Sequence, residues 1–117
     1  MKLRFHNQSL RLRLSQSEVA RLVETGAVRE TLPFPGGQTL EYSLETGPVS
    51  AIAASFEDGR ITVKLPATEA RGWAESDRVG IETADGPLRL YIEKDFQCLH
   101  GPEKDNADAF PNPSAAR

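Results

Sequence analysis

The chain reads as a strand-dominated α+β protein, a pseudo-twofold β-barrel built from two ββαββ repeats with two short helices. The first observation behind this is an internal repeat. Sliding the sequence by 51 positions lays Phe5 on Phe56, Leu14 on Leu65, Glu18 on Glu69, Glu24 on Glu75 and Val28 on Val79. After a three-residue shortening, Leu40, Tyr42, Leu44 and Glu45 fall on Leu88, Leu90, Ile92 and Glu93. A period of this length marks two copies of a supersecondary unit that cannot bury its apolar face alone. The second observation is alternation: apolar and polar residues trade places along several short runs bounded by Gly, Pro, Asn and Asp. The third is that only one stretch in each copy has helical spacing.

Taken in order, Lys2–His6 and Ser9–Leu14 read as two strands joined at Asn7-Gln8. Ser15 followed three residues later by Glu18 is a capping box, and Val19, Leu22 and Val23 form the apolar stripe of the helix it opens. Gly26 suits the left-handed residue that ends such a helix. Strands then follow at 27–35 and 38–45, around a Pro-Gly-Gly turn. The second copy begins with strands at 49–57 and 60–65 around Asp58-Gly59, a strong type I′ hairpin signal. Pro66 fits a first helical turn, and Ala70, Trp73 and Ala74 repeat the stripe, with Trp73 as a core residue. Strands at 78–83 and 88–93 close the unit. Joining eight strands into a closed sheet removes exposed edges.

Residues 1–100 therefore form one barrel domain, with repeat 1 at 1–45 and repeat 2 at 52–93. Residues 101–117 read as an extended or partly disordered C-terminal tail, acidic and polar up to Ala109. A length of 117 residues suffices for a real core, and the 7% aromatic content leaves aliphatic side chains to fill it. No apolar run approaches a membrane span, and the alternating start at Met1–Phe5 has no signal-peptide core. One cysteine excludes an internal disulfide. The expectation is a cytoplasmic protein of bacterial type.

The net charge of −3 is unevenly spread: residues 1–29 carry six Lys or Arg against two Glu. Lys2, Arg4, Arg11 and Arg13 alternate with Leu3, Phe5, Leu10, Leu12 and Leu14, so paired strands gather the cations on one face. That face is either a solvated sheet surface or a patch for nucleic acid or an acidic partner.

Residues 56–93 contain a hairpin, a Leu65-Pro66 step into a helix, Asp77 with Val79 entering a third strand, and a last turn at Asp85-Gly86. This segment resembles the swapped-hairpin unit of the AbrB/MazE family of transition-state regulators and antitoxins. Ser76 stands where that pattern has Gly, and the first copy has Leu14-Ser15 in place of Leu-Pro. Family members usually carry one unit per chain and dimerise, so the resemblance implies an intramolecular pseudo-dimer that is monomeric. It also implies DNA contacts from basic first-hairpin residues: Arg4, Arg11 and Arg13 in copy one, Arg60 and Lys64 in copy two. The KDF-x-CLH and FPNP stretches are similar to those of a small family of uncharacterised bacterial proteins.

Two further features lie towards the C-terminus. Cys98 and His100 share a strand face if the last strand continues, and with His6, Asp95, Asp105 or Asp108 they suit a tetrahedral metal such as zinc; a buried structural cysteine is the simpler alternative. Phe110 with Pro111 and Pro113 is a rigid anchor for its own domain or for a protein partner. Repeated Glu18 and Glu69 are explained as helix-start carboxylates, and the glycines form no phosphate-binding loop. The expected function is a non-enzymatic binding or regulatory module for DNA or a protein partner. A metal-binding protein using Cys98 and His100 is the alternative.

Overall fold

The computed structural model describes residues 1–96 and Phe110. In chain order the elements are β1 (Lys2–His6), β2 (Ser9–Leu14), α1 (Gln16–Thr25), β3 (Ala27–Pro33) and β4 (Thr39–Gly47), then β5 (Ala53–Glu57), β6 (Arg60–Pro66), α2 (Ala67–Ala74), β7 (Gly80–Asp85) and β8 (Leu88–Lys94). The strands form two four-stranded sheets, ordered β1-β2-β8-β7 and β3-β4-β6-β5. Among the described residues no hydrogen-bonded ladder runs from one sheet into the other, so the arrangement is two sheets about a shared core and not one continuous ladder.

Each sheet joins a hairpin from the first repeat to a hairpin from the second. The central pairs are parallel, β2 with β8 and β4 with β6. Parallel neighbours cannot be linked by a tight turn. Here the partner comes from the other half of the chain, 80 residues away for Ser9 and Arg89.

Local chemistry explains the boundaries. Asn7 (φ 51°) turns the first hairpin, and Asp58 (φ 52°) with Gly59 (φ 75°) turn its counterpart. The Ser15 amide donates to the Glu18 carboxylate at 2.9 Å, and left-handed Gly26 donates to the Leu22 carbonyl at 2.9 Å, fixing both ends of α1. Pro66 is the residue that precedes α2 and does not lie within its first turn, since its ψ of 136° is extended. No glycine follows α2. Its C-cap, Glu75, has φ −89°, so the chain needs residues 75–79 to reach β7, where Gly26 alone suffices in the first copy.

That insertion changes the repeat's register. Val28 faces Leu44 and Ile81 faces Ile92, so Ile81, not Val79, is the counterpart of Val28. Val28 and Ile81 are buried, whereas Val79 is 49% exposed. For the same reason β7 starts at Gly80, not Arg78. β5 starts at Ala53, not Val49, because the chain is still crossing from β4 at that point.

The core is assembled from equivalent pairs: Leu12 with Val63, Leu14 with Leu65, Leu44 with Ile92, and Leu22 with Trp73 all lie below 2% exposure. In α2 the large Trp73 accompanies small Ala70, where α1 has Leu22 and Val19, so the volumes compensate across the helix pair. The Trp73 indole donates to the Val79 carbonyl at 3.3 Å. At the hairpin ends the sheets splay: Phe5 and Phe56 are 60% and 70% exposed and flank one apolar groove with the equivalent pairs Leu10/Ile61 and Leu40/Leu88.

Gly80 is compelled by packing. A Cβ there would lie 2.9 Å from the Ile92 carbonyl and 3.0 Å from the Glu93 side chain. Among the described residues no helix is long and apolar enough to cross a membrane.

Three outcomes follow from this packing. Replacing Trp73 or Leu22 by Ala removes a fully buried side chain, with an expected cost of about 3–5 kcal/mol in urea unfolding. Gly80→Ala must displace backbone or Glu93, with an expected cost of about 1–3 kcal/mol in the same assay. The third concerns acid. Burial pushes the Glu18 carboxyl up, but hydrogen bonds from the Met1 ammonium and from Ser15 outweigh it and hold the group below its ordinary range. Its stabilisation is therefore complete above the ordinary carboxylate range and is lost as pH falls through the lowered folded value. Melting curves across acidic pH should show a shallower acid limb for Glu18→Gln; an unchanged limb would contradict this.

Candidate functional site

The β1-β2-β8-β7 sheet has two faces. Leu3, Leu10, Leu12, Leu14, Leu90 and Ile92 point to the core. Residues directly opposite in register share the other face: Lys2 with Arg13, Arg4 with Arg11 and Tyr91, and Ser9 with Arg89. The outward face thus carries Lys2, Arg4, Arg11, Arg13 and Arg89 against the carboxylates Glu82, Glu93 and, just past β8, Asp95.

These cations are not equally available. Lys2 pairs with Asp95 at 2.9 Å. Glu93 receives Arg11 at 3.1 and 3.2 Å and Arg13 at 3.3 Å, one carboxylate against two guanidiniums. Gly80 lies opposite Glu93 on β7, and its missing Cβ leaves room for that side chain. The Arg11 guanidinium also lies 4.5 Å from the centre of the Tyr91 ring. Arg4 and Arg89 are exposed, and their side chains have no partner among the described residues.

At the turn end of β1 and β2 the face is concave. A cleft of about 460 Å³ is lined by Arg4, Arg11, Arg89, Tyr91, His6 and residues 7–9. None of its described lining residues is a carboxylate. Asn7 is held by its amide against His6 Nε2 at 3.3 Å, and the Ser9 hydroxyl donates to the His6 carbonyl at 2.6 Å. The cleft therefore combines positive charge, a guanidinium–aromatic stack and neutral hydrogen-bonding groups.

The second sheet is an internal control, because the same frame carries different side chains. Its outward face has Arg29, Arg60 and Lys64 against Glu41, Glu45 and Glu57. At the positions equivalent to Arg4, Arg11, Tyr91 and Arg89 stand Ser55, Thr62, Ser43 and Glu41. Arg60 pairs with Glu41 at 3.3 Å.

Of the five basic residues singled out from the sequence, Arg4, Arg11 and Arg13 thus share one face, while Arg60 and Lys64 lie on the other sheet. Only Arg4 and Arg11 line the cleft. Arg89 and Tyr91 were not anticipated. Their outward direction follows from Leu88, Leu90 and Ile92 pointing inward, but their position beside Arg11 depends on the parallel pairing of β2 with β8.

The remaining candidates lie elsewhere. Cys98, His100, Asp105, Asp108, Pro111 and Pro113 fall outside the described residues. His6 is exposed on the cleft rim, and no group of three or more potential metal ligands occurs among the described residues. Phe110 docks on its own domain: its amide donates to the Asp95 carbonyl at 2.8 Å and its ring lies 6.0 Å from Phe96. Beneath it sits buried Lys94, whose ammonium lies 5.3 Å from the Phe110 ring and donates to the Ser76 carbonyl at 2.7 Å. Burial pulls the Lys94 pKa down, partly offset by the charge of Asp77.

No curated protein and no solved structure gives a significant match to the chain. A family model does match residues 1–114, and the chain belongs to that family, the family of unknown function DUF7009.

Proposed function

We propose that the protein is a non-enzymatic, AbrB-like binding module whose β1-β2-β8-β7 face takes the phosphate backbone of double-stranded DNA. The observation that carries this reading is the unequal charge of two faces built on one frame. One has five cations against three carboxylates, Asp95 included, and a cleft with no acid among its described lining residues; the other is balanced at three against three. The exchange of hairpins between repeats, with parallel central strands, supports the AbrB-like likeness and a barrel-type packing of the two sheets.

A single charged face in an overall acidic chain sets the expected strength. Arg4 and Arg89 are free to meet phosphates, and Arg11 can exchange Glu93 for one. Two to three such contacts release a similar number of counterions, so binding is weak and falls steeply with salt.

Fluorescence anisotropy with a short labelled duplex tests this. The slope of log affinity against log salt should lie at about −2 to −3. Arg4→Glu and Arg89→Glu should each abolish binding, while Arg60→Glu and Lys64→Glu on the opposite sheet should leave it intact. Absence of any retention at low salt would end the DNA reading.

A further inference from the structure

The free charge on this face is concentrated, not strung out. At one end Lys2 is neutralised by Asp95, and Arg13 shares Glu93 with Arg11. At the other end Arg4 and Arg89 have no partners among the described residues and converge with Arg11 on one cleft. Besides a stretch of phosphate backbone, guanidiniums gathered in a hollow also match a compact anion of high charge density. The cleft volume of about 460 Å³ also falls in the small-ligand range of about 300–1,000 Å³.

The geometry points to a nucleoside di- or triphosphate as a second ligand of the basic cleft, competing there with DNA. This rests on the proposed function, because it assigns a regulator to the same anion-binding face. The phosphates pair with Arg4 and Arg89, while Arg11 stays on Glu93 at the cleft wall. Terminal phosphates carry more charge per group than a phosphodiester, which gives the free nucleotide its advantage over one segment of backbone. The base lies against Arg11 and Tyr91, which adjoin in the cleft lining, since nucleobases stack on both aromatic and guanidinium planes. Asn7 and Gln8, at the turn on the cleft's rim, present amides that both donate and accept at a base edge. The equivalent place on the other sheet has Ser55, Thr62, Ser43 and Glu41, which supply neither the charge nor the stack.

Isothermal titration of the full chain at low salt, with ATP, GTP, pyrophosphate and adenosine as probes, tests the assignment. At least one nucleotide should bind, pyrophosphate should bind about tenfold more weakly, and adenosine should give no heat at about 1 mM. Arg4→Ala and Arg89→Ala should each weaken nucleotide binding about tenfold or more, and Thr62→Ala should leave it unchanged. Because Arg4 and Arg89 are exposed and unpaired, their variants should melt with the parent protein. Added nucleotide should displace the labelled duplex. No heat from either nucleotide, with the duplex still retained, overturns the nucleotide assignment and leaves the DNA reading standing; loss of both ligands removes both. Equal affinity for pyrophosphate and nucleotide, binding that survives the arginine variants, or failure to displace the duplex would each overturn it as well.

Discussion

The parallel pairing of β2 with β8, and of β4 with β6, is the constraint on which the rest of the structure depends. Each repeat supplies two hairpins, and neither hairpin lies beside its own repeat's other hairpin in a sheet. Leu10, Leu12 and Leu14 are aligned with Leu90, Ile92 and Lys94 only through this pairing, and the apolar cluster needs side chains from both sheets. Closing such a long loop is entropically costly, so the contacts that repay it must form together. The repeats' helices also meet, and Leu22 of α1 and Trp73 of α2 are the largest side chains they bury in the shared core. Core and topology are therefore one commitment.

The same pairing creates the candidate site. Arg11 comes from the first repeat; Arg89, Tyr91 and Glu93 come from the second, and they become neighbours because β2 lies against β8. Glu93 then holds two guanidiniums, and Gly80 leaves the space in which it does so. As a half-exposed pair, Arg11–Glu93 adds little to stability. Its consequence is orientation, because it keeps Arg11 against Tyr91 at the cleft wall.

Much of the fold was legible in the sequence because it is encoded locally. Asp58-Gly59, Ser15 with Glu18, and Gly26 each specify their turn or cap from within a few residues, and the structure has them in those roles. The 51-residue repeat identified Leu22 with Trp73 and Phe5 with Phe56, pairs that occupy matching environments. What could not be read was non-local. Val28 aligns with Val79 by letter, but the five-residue connection after α2 moves the structural match to Ile81. The hydrophobic pattern likewise shows which strand face is apolar without showing which strand lies alongside, so the placing of Arg89 and Tyr91 beside Arg11 could not be read.

Divergence between the two halves follows the same division between inside and outside. Core positions vary within a shared volume: Leu12 and Val63 or Leu44 and Ile92 differ little, and where Trp73 exceeds Leu22 its neighbour Ala70 is smaller than Val19. Outward positions have no such limit: Arg89 stands where the other sheet has Glu41, and Tyr91 where it has Ser43. Arg89 has no partner among the described residues, whereas its counterpart Glu41 is paired with Arg60. A solvated face needs no such asymmetry, since balanced pairs like Arg60–Glu41 serve it equally well. Arg4 and Arg89, without partners among the described residues, add to the positive potential beside Arg11, and such a potential favours an anion. Charge left unbalanced on one copy of a duplicated frame is therefore the feature that marks this face as the candidate site.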